Sequence, residues 1–229
     1  MQALRIHAHG GPEVLELDEI ERPAPGPGQV LVRVLAASVN HLDLWVRRGM
    51  PGVAVPFPRI LGCDGTGAIA ALGRGVQGLA VGQRVLIEPG FSSGTSAQDR
   101  AGNDHLSEDY GIRGEHSDGL DCEYVALDAR YALPLPGGLD PVHAAATPLV
   151  FLTAWGLLVS RAALAPGETV LVLAGASGVG SAAIQIARVI GARGIATAGP
   201  EAKRAPARGP GAEAGGGRPG RQRGGVGER

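Results

Sequence analysis

The 229-residue sequence predicts a mixed fold: a β-rich N-terminal domain over residues 1–130, the first βαβ part of an α/β domain over 131–205, and a disordered Gly/Arg-rich tail over 206–229. Three observations carry this prediction. Short apolar or alternating runs separated by Gly and Pro fill the first part, as strands and turns do. The second part reads TVLVLA, GASGVG, SAAIQIARVIGA, GIATA, the order strand, Gly-rich turn, helix, strand. The last 21 residues, 209–229, hold nine glycines and a single large apolar side chain, Val226, too little to offset the cost of ordering a backbone.

The elements follow in order. LRIHAHG, EVLELDEI, QVLVRVLAASVN, GTGAIAALG and QRVLIEPG are the expected strands of the first part. Pro25 and Pro27 keep the segment RPAPGPG out of a central strand, because a proline cannot donate to a ladder. LDLWVRR over residues 42–48 reads as one or two helical turns with Gly49 as the C-cap. Residues 91–121 are polar and nearly without apolar periodicity, a long excursion of the functional or decayed-functional kind. EYVALDA resumes the sheet. Asp140-Pro141 opens a helix with an N-cap and a proline at its first position, and an apolar helical stretch broken near Pro148 follows. TVLVLA is apolar throughout, as a buried parallel strand is, and Gly178 to Ile190 is a helix closed by Gly191.

Composition excludes several functions. A net charge of -1 lacks the basic surplus of a nucleic-acid binder. Two cysteines, Cys63 and Cys122, cannot build a disulfide scaffold and leave little for a thiolate metal site. No apolar run reaches the ~18–20 residues of a membrane span, and the N-terminus has no signal-like pattern, so the cytoplasm is the expected compartment and a small molecule the expected partner. The 38 glycines are more than twice the ~7% of average usage. They divide between purposeful turns and the tail.

The chemistry lies in the Gly-rich turn. Glycines between a strand and a helix let the backbone approach a pyrophosphate, and the helix start offers unpaired N–H groups and a positive dipole end. Gly175, Ala176, Ser177, Gly178, Val179 and Gly180 are therefore the expected dinucleotide-binding residues; the alternative is a Gly-rich turn that holds no ligand. An acidic residue closing the second strand would select NAD. Ala198 stands there, with Lys203 and Arg204 beyond, which favours NADP, with NAD as the alternative if these cations only begin a solvated helix.

The stretches GPEVLELDEIERPAPGPGQVLVRVLAASVNHLDLWVRRG, PFPRILGCDGTGAIAALG, VGQRVLIEPG, GIRGEHSDGLDCEYVAL, LVFLTAW and AGASGVGSAAIQIAR occur in one order over roughly residues 1–205. Together they resemble the medium-chain dehydrogenase/reductase superfamily, the zinc-type alcohol dehydrogenases and quinone oxidoreductases. The resemblance implies a GroES-like substrate domain, a Rossmann nucleotide domain and NAD(P)H-linked hydride transfer in the cleft between them. It also implies that the chain lacks the rest of the nucleotide domain, through truncation or a frame error near residues 199–210, so that catalysis by this chain alone is doubtful; homo-oligomers would go with the missing half.

In zinc-type members two cysteines and a His-Glu pair surround the catalytic metal. The matching positions here are Asn40, Cys63-Asp64 and Leu149, and the four cysteines of a second, structural zinc match Ser93, Ser96, Asp99 and Ser107. One thiol does not make the three protein ligands of a catalytic zinc, so no metal ligand is expected; a site improvised from His41, Asp43 and Cys63 is the alternative. Without a structural zinc the 91–121 lobe is expected to be mobile. Asn40 is the expected catalytic residue, donating to a substrate oxygen or the nicotinamide, and His41 a second, touching phosphate or relaying a proton. Each has a plainer reading as a turn residue. Asp43 is expected to brace the loop, Trp45 and Trp155 to lie in the core, with the substrate wall as the alternative, and Thr153 to contact the nicotinamide. Quinone or activated-alkene reduction fits a zinc-independent member. The alternatives are a zinc alcohol dehydrogenase with replacement ligands and a non-catalytic β-domain fragment.

Overall fold

The computed structural model describes residues 1–198 and, as a paired strand, the backbone of Ala214–Gly217. The chain divides into two compact units, Met1–Leu149 and Val150–Arg229. The expectations for Lys203 and for most of the 206–229 tail lie outside the described residues.

The first unit begins with β1 (Gln2–Ile6), β2 (Leu15–Glu19), β3 (Gln29–Ser38), α1 (His41–Arg48), β4 (Arg59–Ile60), β5 (Asp64–Leu72) and β6 (Arg84–Ile87). β7 (Gly90–Phe91), α2 (Ala97–Arg100), β8 (Gly111–Ile112), β9 (Tyr124–Asp128), β10 (Ala132–Pro134) and α3 (Pro141–Ala145) complete it. Five strands pair antiparallel in the order β10-β6-β5-β3-β9, and β2-β1-β4 form a second sheet. Alternation sets the core: Val30 and Val32, Val85 and Ile87, and Val125 and Leu127 lie two residues apart on their strands and turn to one face, where Ile69 and Leu120 meet them. Full burial of each such side chain stabilises by about 1.5–3 kcal/mol. Tyr131 joins this core and α3 packs on β3 and β5, so the first unit runs to Leu149, past the change of sequence pattern at residue 130.

α1 starts and stops where its residues demand. The Asp43 carboxylate accepts the Asn40 backbone N–H at 2.6 Å, and Gly49 at φ +88° ends the helix. Its inner face is Asp43, Val46 and Arg47. Trp45 faces the other way and is 52% exposed, which corrects its expected core position.

The second unit holds most of α4 (Pro148–Trp155), which runs into a π-helical turn over Gly156–Arg161, then β11 (Thr169–Val172), α5 (Gly178–Ile190), β12 (Arg193–Ala198) and β13 (Ala214–Gly217). β11 and β12 are parallel, as expected of a βαβ unit, and β13 pairs parallel with β12, Ala196 opposite Gly215, inside the segment read as tail. Ala182, Ala183, Ile184 and Ile186 of α5 pack with Ala154, Leu158, Val172 and Ala196. Small residues there let helix and sheet approach closely. The apolar strand is buried on one face only: Val170 and Val172 point to this cluster, while Leu171 and Leu173 are 60% and 67% exposed. Trp155 is also half exposed, because Ala154 and Leu158 take the inward positions of its helix; this corrects the second expected core tryptophan.

Candidate active site

β11 ends at Val172 and the chain turns through GASGVG into α5. Ser177 is the N-cap, its Oγ accepting the Gly180 N–H at 3.0 Å. A Cβ on Gly180 would stand 2.4 Å from the Ala174 carbonyl oxygen and 2.8 Å from the Gly175 Cα, so only glycine fits. One on Gly178 would press Val150 at 2.9 Å. Val179 turns inward onto the α5 core, whereas Ala176, Ser177 and Gly178 are exposed. The turn thus presents a small-residue backbone surface at the start of a 13-residue helix. That surface fits a pyrophosphate: nothing larger than Ser177 rises from it, and the helix supplies the N–H groups and the dipole.

Thr197 was missed by the sequence reading. Its carbonyl accepts the Gly175 N–H at 2.8 Å and its Oγ1 accepts the Ala174 N–H at 3.2 Å, so β12 pins the turn in place. A hydroxyl residue near the end of the second strand was the signal available. Thr153 lies exposed on α4.

In the first unit the structure brings together the four positions matched to the catalytic zinc. The Asn40 Nδ2 donates to Asp64 Oδ2 at 2.9 Å and approaches Cys63 Sγ at 3.4 Å; the Leu149 N–H donates to Asp64 Oδ1 at 2.9 Å. Asp43 braces the same loop, accepting the Asn40 N–H and, at 3.2 Å, the Gly62 N–H. Burial pushes Asp64 up to about 6, against the opposing pull of its Asn40 and Leu149 donors. Burial and the neighbouring Asp43 push Asp121 up to about 6 as well. The Cys63 thiol is raised by burial and by the carboxylates of Asp43 and Asp64.

This donor set does not fit zinc. The Asn40 amide points its nitrogen at a carboxylate and Leu149 offers no side-chain ligand, which leaves one thiol and one carboxylate, short of the three protein ligands of a catalytic zinc. His41 is exposed on the outer face of α1 beside Trp45, ring centroids 6.2 Å apart, and does not join Cys63. Among the described residues the metal-capable groups that gather are His7, Glu16 and Asp18, with Asp18 also ion-paired to Arg5.

The positions matched to the second zinc also converge, in a polar network. Ser107 Oγ lies within hydrogen-bond reach of Asp109 Oδ1 (2.7 Å), Ser96 Oγ (2.9 Å) and Asp99 Oδ2 (3.3 Å), and its one proton serves one of them at a time. Asp99 also accepts from Ser92 Oγ at 2.6 Å and from the Ser96 N–H at 2.8 Å. These donors, the Ser92 hydroxyl first, hold the Asp99 carboxyl down at about 2. The Ser93 N–H donates to Asp109. Side-chain hydrogen bonds thus link the lobe at the positions matched to the structural zinc.

The profile described as "Alcohol dehydrogenase GroES-like domain" matches residues 26–137. The crystal structure of an NAD-dependent alcohol dehydrogenase is 47% identical, with a TM-score of 0.92 over 95% of this chain and 63% of that one. The quinone oxidoreductase of Pseudomonas syringae pv. tomato DC3000 is 32% identical, with a TM-score of 0.76 over 93% of this chain and 57% of that one. Among curated proteins, the phthioceranic/hydroxyphthioceranic acid synthase of Mycobacterium tuberculosis is 36% identical over 202 residues, 88% of this chain but 8% of the synthase. The chain therefore spans less than two thirds of these relatives. In sequence and in fold, it belongs to the medium-chain dehydrogenase/reductase superfamily of zinc-type alcohol dehydrogenases and quinone oxidoreductases.

Proposed function

We propose that this protein is a nicotinamide-dependent, zinc-independent oxidoreductase that reduces a quinone or an activated alkene, with NADPH as its preferred hydride source. The observation that carries the reading is the turn over residues 175–180, closed to any side chain at Gly180 and capped by Ser177. When bound, the dinucleotide supplies the hydride. The residues of this chain bind and orient. Gly175, Ala176, Ser177, Gly178, Val179 and Gly180 receive the pyrophosphate, Thr197 keeps their loop in register, and Thr153 is the proposed nicotinamide contact. Lys203 is the proposed partner of a 2′-phosphate. Asn40 contacts the substrate oxygen and His41 relays a proton; reduction of a conjugated carbonyl needs positioning and hydrogen bonding more than a Lewis acid.

A second reading, NAD-dependent alcohol oxidation, is favoured by the 47% identical alcohol dehydrogenase. Fluorescence titration separates the two cofactors. Saturable NADPH binding, weaker for NADH and lost in Gly180→Val, supports the first reading. Tighter NADH binding transfers the proposal to NAD. No saturable binding of either dinucleotide overturns both.

A further inference from the structure

We propose that the face of β1 and β2 carrying His7, Glu16 and Asp18 is a binding site for one divalent transition metal of the zinc and copper class, held by an imidazole nitrogen and two carboxylate oxygens. The site belongs to the first unit alone and stands whether or not the proposed reaction does.

Strand alternation puts the donors together. β1 and β2 pair antiparallel, with Ile6 opposite Leu15 and Arg5 opposite Glu16. Ile6 is fully buried, so the alternate positions share the other face: Arg5 and His7 from the first strand and its end, Glu16 and Asp18 from the second. There His7 Nε2 lies 2.8 Å from Asp18 Oδ2 and 3.9 Å from Glu16 Oε2, and the three donor atoms all fall within 4.8 Å of one another. Among the described residues, the other close imidazole–carboxylate pairs are His105 with Asp104, His116 with Glu115 and His143 with Asp140, and each brings one carboxylate where His7 gathers two.

The spacing suits a shared ion. Bonds of about 2.0–2.2 Å from a tetrahedral zinc to nitrogen and oxygen set its donors about 3.3–3.5 Å apart. The observed 2.8 and 3.9 Å lie on either side of that value, and a shift of about half an ångström at each side-chain tip reaches it. A hydrogen bond from His7 serves Asp18 alone, because Glu16 stands too far away; a metal uses both.

Charge points the same way. Metal binding takes the imidazole in its neutral form. The two carboxylates then face one guanidinium, Arg5 Nη1 3.2 Å from Asp18 Oδ2, which leaves one negative charge in excess. Arg5 holds Asp18 from behind, as the outer partners of metal ligands do. His7 and Glu16 are exposed and Asp18 is half-buried, so water fills the remaining coordination positions. An imidazole among the donors favours zinc, copper or nickel over magnesium and calcium, which take oxygen. The ion would tie β2, at the edge of its sheet, to β1.

The test is calorimetric titration of the chelator-stripped full chain with Zn2+. One equivalent is expected to bind, and Mg2+ is not expected to compete. His7→Ala should weaken binding at least about tenfold, since even residues behind a metal ligand cost roughly 10–100-fold; Glu16→Gln should weaken it less. Cys63→Ser, which removes the thiol at the positions matched to the catalytic zinc, should leave the affinity unchanged. Cu2+ then locates the site without any variant: its paramagnetism should broaden the 15N–1H signals of β1, His7 and β2 and spare those of Asn40, Cys63 and Asp64. That last result decides should Cys63→Ser fail to fold. Absence of binding at millimolar Zn2+ overturns the inference. So does binding that survives His7→Ala or is lost in Cys63→Ser, and so does broadening centred anywhere but on the two strands.

Discussion

Asp64 and Asp99 are both aspartates gripped by hydroxyl and N–H donors, and both lie among positions where zinc-type relatives carry metal ligands. Yet Asp64 is pushed up to about 6 and Asp99 held down at about 2. The difference is water. Asp64 is wholly enclosed, with Asp43 for a neighbour, and its donors do not make up for lost solvation. Asp99 keeps solvent on one side and takes hydrogen bonds from Ser92, Ser96 and Ser107 on the other. The same residue type thus ionises only near pH 6 in one cluster and already near pH 2 in the other.

The largest effect that would break this comparison comes from Asp43→Ala. It strips the cap of α1 and leaves the Asn40 and Gly62 N–H groups inside without acceptors. Each buried orphan costs about 1–3 kcal/mol, so urea unfolding should show a loss on the order of 2–4 kcal/mol. A loss under about 1 kcal/mol would mean that Asp43 does not hold the loop.

Next is pH. An ordinary Asp ionises near ~4, whereas folded Asp64 and Asp121 hold their protons to about 6. Between those values the folded state binds more protons than the unfolded one, so each group lowers stability as pH rises from 4 to 6, and its effect is flat above. The expected loss is on the order of 2 kcal/mol for each group. Asp99 works in the opposite sense: its contribution is full above about 4 and is lost as pH falls toward 2. Denaturant midpoints at pH 4, 5, 6 and 7 should therefore decline and then level off. A flat or rising series contradicts the enclosed state of Asp64.

Asp99→Ala should act locally. Amide exchange across residues 92–109 should accelerate, most at the Ser96 N–H that loses its acceptor, while the sheet β10-β6-β5-β3-β9 keeps its protection. Global unfolding with lobe opening would show that the network supports more than the lobe. The smallest effect is expected from chelation: EDTA should leave the thermal midpoint and the lobe's exchange rates unchanged, since the ordering bonds run between side chains.

Much of this was legible in the chain itself, for reasons of distance along it. α5 and its Gly191 cap, the GASGVG turn and the bond from the Asn40 N–H to Asp43 are set within a few residues and follow from local rules. The partner of Asn40 was not legible, because Asp64 comes 24 residues later and meets it only through the pairing of β3 with β5. The hydrogen-bond network of the 91–121 lobe was not legible for a related reason. Its bonds join Ser92 and Ser96 to Asp99, Ser107 and Asp109 across turns without apolar periodicity, and polar networks leave no pattern of spacing. The strands β4, β7 and β8 have two residues each, too short for any alternation to register. Trp45 and Trp155 turn outward because helix phase gives the inner positions to Val46 and Ala154.

The central claim, a nicotinamide-dependent enzyme that works without zinc, is tested most directly on protein freed of metal by chelation and checked by mass spectrometry. Such protein, given NADPH and a simple quinone, should consume both in equal amounts, at a rate that added zinc does not raise. The account is contradicted if the metal-free protein is inert and stoichiometric zinc restores turnover.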